Sequence, residues 1–181
     1  KIEDIEMDEA GIRKIMSDAI NEGRSRLLSH EAKEILRLAG LDVPPFRLAR
    51  NIDEVVRYAN EIGYPVAMKV VSEDILHKTD VGGVVLNIDN EEEAIDAYEL
   101  IMRNCRIHIP RARIEGVEIT KMLPKGTEII IGSTTDASFG KVLMFGLGGI
   151  YVEVLKDVSF NTCWNKRREK KGYKRNNRLH L

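Results

Sequence analysis

The segment Val66-Ala67-Met68-Lys69-Val70-Val71 limits what this chain can become more than any other. All of it is apolar except Lys69, and it follows Gly63 and Pro65, which end a preceding helix. A short apolar run bounded in this way reads as a buried strand. A lysine inside such a strand is costly to bury without a partner. Two resolutions are open. Its ammonium faces an anion such as a phosphate, or it lies on an exposed sheet edge where charge discourages pairing with other chains.

The surrounding sequence alternates helices and strands. Asp8 can cap a helix running to about Glu22, with Gly23 as its stop. Ser29 can cap a second helix that ends at Gly40, and Pro44-Pro45 then sets an extended segment, Phe46 to Ala49. Asn51 with Glu54, and Asn90 with Glu93, have the spacing of a capping box. They predict a third helix closed by Gly63 and a fourth reaching about Cys105. A second strand is predicted over Val84 to Ile88. After Pro110 the pattern becomes strands joined by Gly-containing turns: 114–122, 128–134, 141–145 and 151–154. The chain therefore reads as α+β, with two lobes meeting near 110–113.

Four segments can carry chemistry. Gly82-Gly83, in the polar stretch after Lys69, lets backbone amides approach an anion, with Lys78 and Thr79 as further donors. An ordinary turn is the alternative, and no GxxxxGK[ST] loop is present. His77 lies in the same stretch and is either a plain polar residue or a nucleophile for phosphoryl transfer. The segment from Glu118 to Glu128 joins two strands. Its backbone can read a base edge beside Met122 and Leu123, with Glu128 accepting from ribose hydroxyls, or it is a simple hairpin. Phe145-Gly146-Leu147-Gly148-Gly149-Ile150 lacks the GxGxxG spacing of a dinucleotide fingerprint.

Charge and composition narrow the class. The 181 residues are 43% hydrophobic, enough for one or two small domains. No apolar run approaches the roughly 18–20 residues of a membrane helix, and the acidic, mixed N-terminus does not read as a signal peptide. A cytoplasmic protein is expected. Cys105 and Cys163 are far apart, and the four histidines form no HxxxH or HExxH pattern, so neither a disulfide nor a zinc site is expected. Residues 161–181 hold eight Lys/Arg against one acid, Glu169; of the totals of 28 and 29, the remainder keeps 20 bases against 28 acids. The acidic body argues against nucleic acid as a partner.

Three segments together resemble the ATP-grasp (beta) subunit of ADP-forming (NDP-forming) acetyl-CoA synthetases, relatives of succinyl-CoA synthetase. They are Gly63 to Lys69, Ile75 to Val84 with its His77-Lys78-Thr79-Asp80, and Phe139 to Glu153. The resemblance covers roughly residues 7–160. It implies an ATP-grasp fold, with two α+β lobes around a nucleotide cleft and a second lobe that is incomplete here. The implied division is a helical segment over 1–25, a first lobe over 26–112, a second over 113–160 and a divergent basic tail over 161–181. By position in the motifs, Lys69 would contact nucleotide phosphates and Gly82 and Gly83 would cover them. Thr120, Lys121, Met122 and Leu123 would form the adenine hinge, and Glu128 would hold the ribose. His77 would take part in a phosphoryl relay. The implied reaction converts acyl-CoA, ADP and phosphate to acid, CoA and ATP. The implied partner is a CoA-binding alpha subunit in a heterotetramer, and the implied cofactors are ATP/ADP and Mg²⁺.

The sequence departs from this pattern after Phe160, where the acidic Asn/Asp pair that would bind Mg²⁺ is expected to follow. A truncated or frameshifted C-terminal end is the first reading of the basic tail, and an electrostatic arm the second. An isolated chain without that pair is expected to bind nucleotide weakly and not to turn over. A degenerate regulatory module and an inactive fragment remain the competing readings.

Overall fold

A computed structural model describes residues 6–148 and 158–162. The chain divides into two units, Lys1–Leu123 and Pro124–Leu181.

The first unit opens with helices α1 (Glu9–Asn21) and α2 (Ser29–Leu38). Strand β1 (Phe46–Ala49) and helix α3 (Ile52–Ile62) follow, then strands β2 (Val66–Ser72) and β3 (Val84–Ile88), helix α4 (Glu91–His108) and strand β4 (Ile114–Lys121). The helix starts obey local hydrogen-bond chemistry. Side chains of Asp8, Asn51 and Asn90 accept from the amides of Gly11, Glu54 and Glu93, which the first turn of a helix leaves without partners. Ser29 differs from expectation. It is the first helical residue, and the preceding Leu28 has its amide bonded to the Glu31 carboxylate at 2.7 Å. Arg24 fixes that carboxylate from the other side at 2.7 and 2.8 Å. Helix α4 runs three residues past the expected Cys105, to His108.

The four strands form one antiparallel sheet in the order β1-β4-β2-β3. Period-two alternation splits each strand between two faces. One face sends Val66, Met68, Val70, Val117, Ile119 and Ile88 against Val55 and Ala59 of α3 and Ala94, Ala97, Ile101 and Cys105 of α4. Each of the larger side chains contributes about 1.5–3 kcal/mol by leaving water. The other face carries Ala67, Lys69 and Val71 of β2, and Glu118 and Thr120 of β4.

β4 explains where the units part. Composition places a boundary near 110–113, because strands without helices begin there. Yet β4 hydrogen-bonds to both β1 and β2, so it belongs to the first sheet, and the division falls after Leu123.

The second unit contains β5 (Ile129–Asp136), β6 (Gly140–Leu147) and β7 (Val158–Thr162), an antiparallel sheet in that order. The β5–β6 turn is held by Asp136 Oδ1, which accepts from the amides of Ser138 and Phe139. The expected strand at 151–154 and the tail from 163 lie outside the described residues, as does Cys163. Cys105 is buried and free. Among the described residues, no helix is long and apolar enough to cross a membrane.

Candidate functional site

The face of the first sheet away from α3 and α4 collects charge. Lys69, half-buried, is the one polar side chain between Val66 and Val71 that this strand must accommodate. Its neighbour across the β2–β4 ladder is Glu118. The Glu118 residue is 1% exposed. Such a carboxylate is tolerated only when it is paired and hydrogen-bonded. Its partner is Lys33 from α2, whose Nζ donates to Oε1 at 2.6 Å. The same ammonium donates to Thr120 Oγ1 at 2.9 Å, and that hydroxyl donates to Glu118 Oε1 at 3.3 Å. Lys33 Nζ also lies 5.4 Å from the centroid of the Phe46 ring, within cation–π range. Glu118 Oε2 is buried and has no hydrogen-bond partner. The Lys69 ammonium takes part in none of the side-chain hydrogen bonds or ion pairs among the described residues.

The stretch after β2 brings a third ammonium. Lys78, half-buried, donates to Ser29 Oγ at 3.4 Å. Burial pushes its pKa below the usual lysine value; Glu118 opposes this, while the charges of Lys69 and Lys33 add to it. Three lysines thus crowd one carboxylate, and the local balance is two positive charges.

The paired glycines shape this stretch. Gly82 has φ +64°, and a Cβ there would sit 2.6 Å from Asn104 Nδ2. A Cβ on Gly83 would sit 2.6 Å from Val70 Cγ1 and 3.0 Å from the Lys78 carbonyl. Their amides are engaged within the loop. Gly82 N–H donates to Thr79 O at 3.1 Å and Gly83 N–H to Lys78 O at 2.7 Å. The amides of Lys78, Thr79 and Val81 are among those in this loop with no acceptor among the described residues, and the loop can offer them to a ligand. His77 is exposed, and its carbonyl accepts from Asp80 N–H at 3.2 Å.

The segment after β4 is less free than its sequence suggests. Thr120 has its hydroxyl turned to Lys33 and Glu118. Lys121 Nζ donates to the carbonyls of Gly63 and Tyr64 at 2.9 and 2.7 Å, and its amide donates to Pro45 O. The Met122 amide donates to Pro65 O at 3.1 Å. Leu123 is 62% exposed, and its amide makes no such bond. Glu128 belongs to the second unit, where its carbonyl accepts from Gly148 N–H at 2.8 Å.

The sequence singles out Lys69, Lys78 and the glycines as candidates, and it does not single out the Lys33–Glu118 pair. Glu118 carried the same signal as Lys69, a charge between the apolar Val117 and Ile119. Lys33 carried none, because an exposed-looking lysine on an amphipathic helix is ordinary.

The chain matches a known class of domain. The sequence profile of the ATP-grasp domain fits residues 18–170, and the chain belongs to that family. The fit runs ten residues past Phe160, where the resemblance was expected to stop. Among relatives is the acetate–CoA ligase (ADP-forming) I subunit beta of Pyrococcus furiosus, 54% identical over 85% of this chain and 66% of that protein. Subunit beta of the second such ligase of that organism is 50% identical over 81% of this chain and 62% of its own length. The chain therefore spans a little under two thirds of these relatives. Among solved structures is the dinucleotide-forming acetyl-coenzyme A synthetase 1 of Ca. Korarchaeum cryptofilum, in complex with coenzyme A and Ca-AMPCP. It has a TM-score of 0.80 and 44% identity over 83% of this chain and 66% of that one. Another form of that enzyme, with Mg-AMPPCP and a phosphohistidine segment pointing towards the nucleotide binding site, gives 0.70 and 40%, over 83% and 63%.

Proposed function

We propose that this chain is the nucleotide-holding part of an ADP-forming acid–thiol ligase, and that Lys69 meets the nucleotide's phosphates. The observation that carries the reading is the half-buried, unpaired Lys69 beside a carboxylate already taken by Lys33. A cation placed so is stabilised by an anion it can contact and by little else. ADP or ATP supplies that anion, and the ADP-forming relatives and the adenine-nucleotide analogues bound in their solved structures favour an adenine nucleotide. Gly82 and Gly83 shape the turn that presents the free amides of Lys78, Thr79 and Val81. Leu123 keeps a free amide for the adenine edge, with Thr120, Lys121 and Met122 fixing its course.

Phosphoryl transfer asks for positioning and charge neutralisation more than for covalent chemistry. In the proposed relay a phosphohistidine on a CoA-binding partner subunit meets His77. The neutral His77 imidazole attacks phosphorus, an N–P bond forms on His77, and the donor's N–P bond breaks. A terminal oxygen of ADP then attacks, the His77 N–P bond breaks, and ATP leaves with the imidazole restored. Among the described residues no three His, Cys, Asp or Glu side chains converge on a metal-sized site. The chain alone is proposed not to make ATP from acyl-CoA, since the CoA-binding partner supplies half of the relay.

Thermal unfolding with and without ATP tests the reading. A nucleotide that binds only the folded chain raises Tm by mass action. The wild type and His77→Ala are expected to show the rise and Lys69→Ala to lose it. An equal rise in Lys69→Ala contradicts the assignment. Acid-labile phosphate on the wild type, and none on His77→Ala, is expected once a phosphorylated partner subunit is added.

A further inference from the structure

We propose that Lys33 and Glu118 form a charge-setting pair: by occupying Glu118, Lys33 leaves Lys69 and Lys78 as two uncompensated ammonium groups for one polyphosphate. This rests on the reading that Lys69 meets phosphate. It adds Glu118 and Lys33 as positioning residues and Lys78 as the second cation.

The geometry sets up a competition. Residues directly opposite on antiparallel strands have Cβ atoms about 4.5–5.5 Å apart, so Lys69 and Glu118 are natural ion-pair partners. They form no ion pair within 4.0 Å, and it is Lys33 that holds Oε1, at 2.6 Å. Thr120 locks the arrangement by accepting from Lys33 and donating to the same oxygen. Oε2 is buried without a partner. It is the atom to which Lys69 or Lys78 can turn if Lys33 lets go. With Lys33 in place, three ammonium groups face one carboxylate, a net charge of two that matches a terminal phosphate near neutral pH. With Lys33 gone, Glu118 captures one of the other lysines. The site then falls to a net charge of one, and its phosphate-facing ammonium is spent. A buried glutamate in an anion site is otherwise unfavourable, since it repels the ligand.

The test is calorimetric titration of inorganic tripolyphosphate into the full 181-residue chain. Lys33→Met, Glu118→Gln, the double variant and Lys69→Ala are compared, each confirmed folded by far-UV circular dichroism. Lys33→Met is expected to bind about tenfold more weakly, the effect of a charge partner inside a desolvated site. The double variant should return to within roughly twofold of wild type, because the two sites are coupled. Glu118→Gln should bind as tightly as wild type or more so. An unchanged affinity in Lys33→Met overturns the proposal, and so does a double variant no better than Lys33→Met. If Lys33→Met does not fold, Glu118→Gln decides, and weaker binding by that variant contradicts the pair. A Lys69→Ala variant that binds like wild type removes the phosphate reading itself; loss in Lys69→Ala with no loss in Lys33→Met removes only the pair.

Discussion

Glu118 and Lys69 stand directly across from each other on β4 and β2, yet the carboxylate is bonded to Lys33 and not to its cross-strand neighbour. The arrangement holds positive charge in reserve on a half-buried surface, which costs stability in the free chain and favours an anion when one arrives.

Lys78 shows that trade most directly. Burial lowers its pKa from 10.5, and the charges of Lys69 and Lys33 deepen the effect despite Glu118. The unfolded chain therefore binds the Lys78 proton more tightly than the folded one, so stability rises as pH rises through the lowered value and is reduced below it. Lys78→Met should raise the Tm of the free chain at neutral pH and weaken tripolyphosphate binding at the same time. A variant that lowers Tm, or leaves binding intact, would not fit this account.

The two glycines separate by what surrounds them. Gly83→Ala places a methyl 2.6 Å from Val70 in the core and 3.0 Å from a backbone carbonyl, and should cost about 1–3 kcal/mol by overpacking. Gly82→Ala meets the Asn104 side chain and must also hold φ +64°, a strain of about 1–2 kcal/mol for an L-residue. Urea denaturation of both variants checks the values. Stabilisation by either substitution would contradict the packing described.

Acid should act on the start of α2. Burial opposes ionisation of Glu31, but hydrogen bonds from Arg24 and the Leu28 amide, with Arg24's charge, outweigh it and hold the carboxyl below its usual 4.5. That stabilisation is full above 4.5 and is lost as pH falls through the lowered folded value. Burial likewise lowers the neighbouring His30 from 6.5, with the charges of Arg50 and Arg24 adding to the effect and those of Glu31 and Glu118 opposing it. The unfolded chain takes up that proton first, so stability begins to fall below 6.5. Denaturation midpoints measured against pH should decline in both windows. Glu31→Gln should flatten the lower one and His30→Gln the upper.

Lys121 acts as a clamp on the turn before β2. Its ammonium satisfies the carbonyls of Gly63 and Tyr64, so Lys121→Met should cost about 1–3 kcal/mol by leaving both unpaired. A loss below a few tenths in chemical denaturation would show that water replaces the clamp.

What the sequence disclosed followed from local rules. Asn51 and Asn90 cap their helices because capping needs only a side-chain oxygen and an amide three residues on. The pleat of the Val66–Val71 run puts Lys69 on the face opposite Val66, Met68 and Val70. Features that depend on partners far along the chain stayed hidden. Lys33 and Glu118 are 85 residues apart, and no periodicity links them. The allegiance of β4 was hidden too, since an alternating strand does not name the strands it pairs with. Ser29 misled because Arg24 and Glu31 built a different helix start around Leu28.

The most direct measurement is the calorimetric affinity for ATP of the wild-type chain and of Lys69→Ala at matched salt. Wild type should bind, and the variant should lose at least about tenfold, the scale of one charge-assisted contact in a partly desolvated site. Equal affinities would mean that the half-buried ammonium has no phosphate opposite it, and the site proposed on this sheet would have to be abandoned.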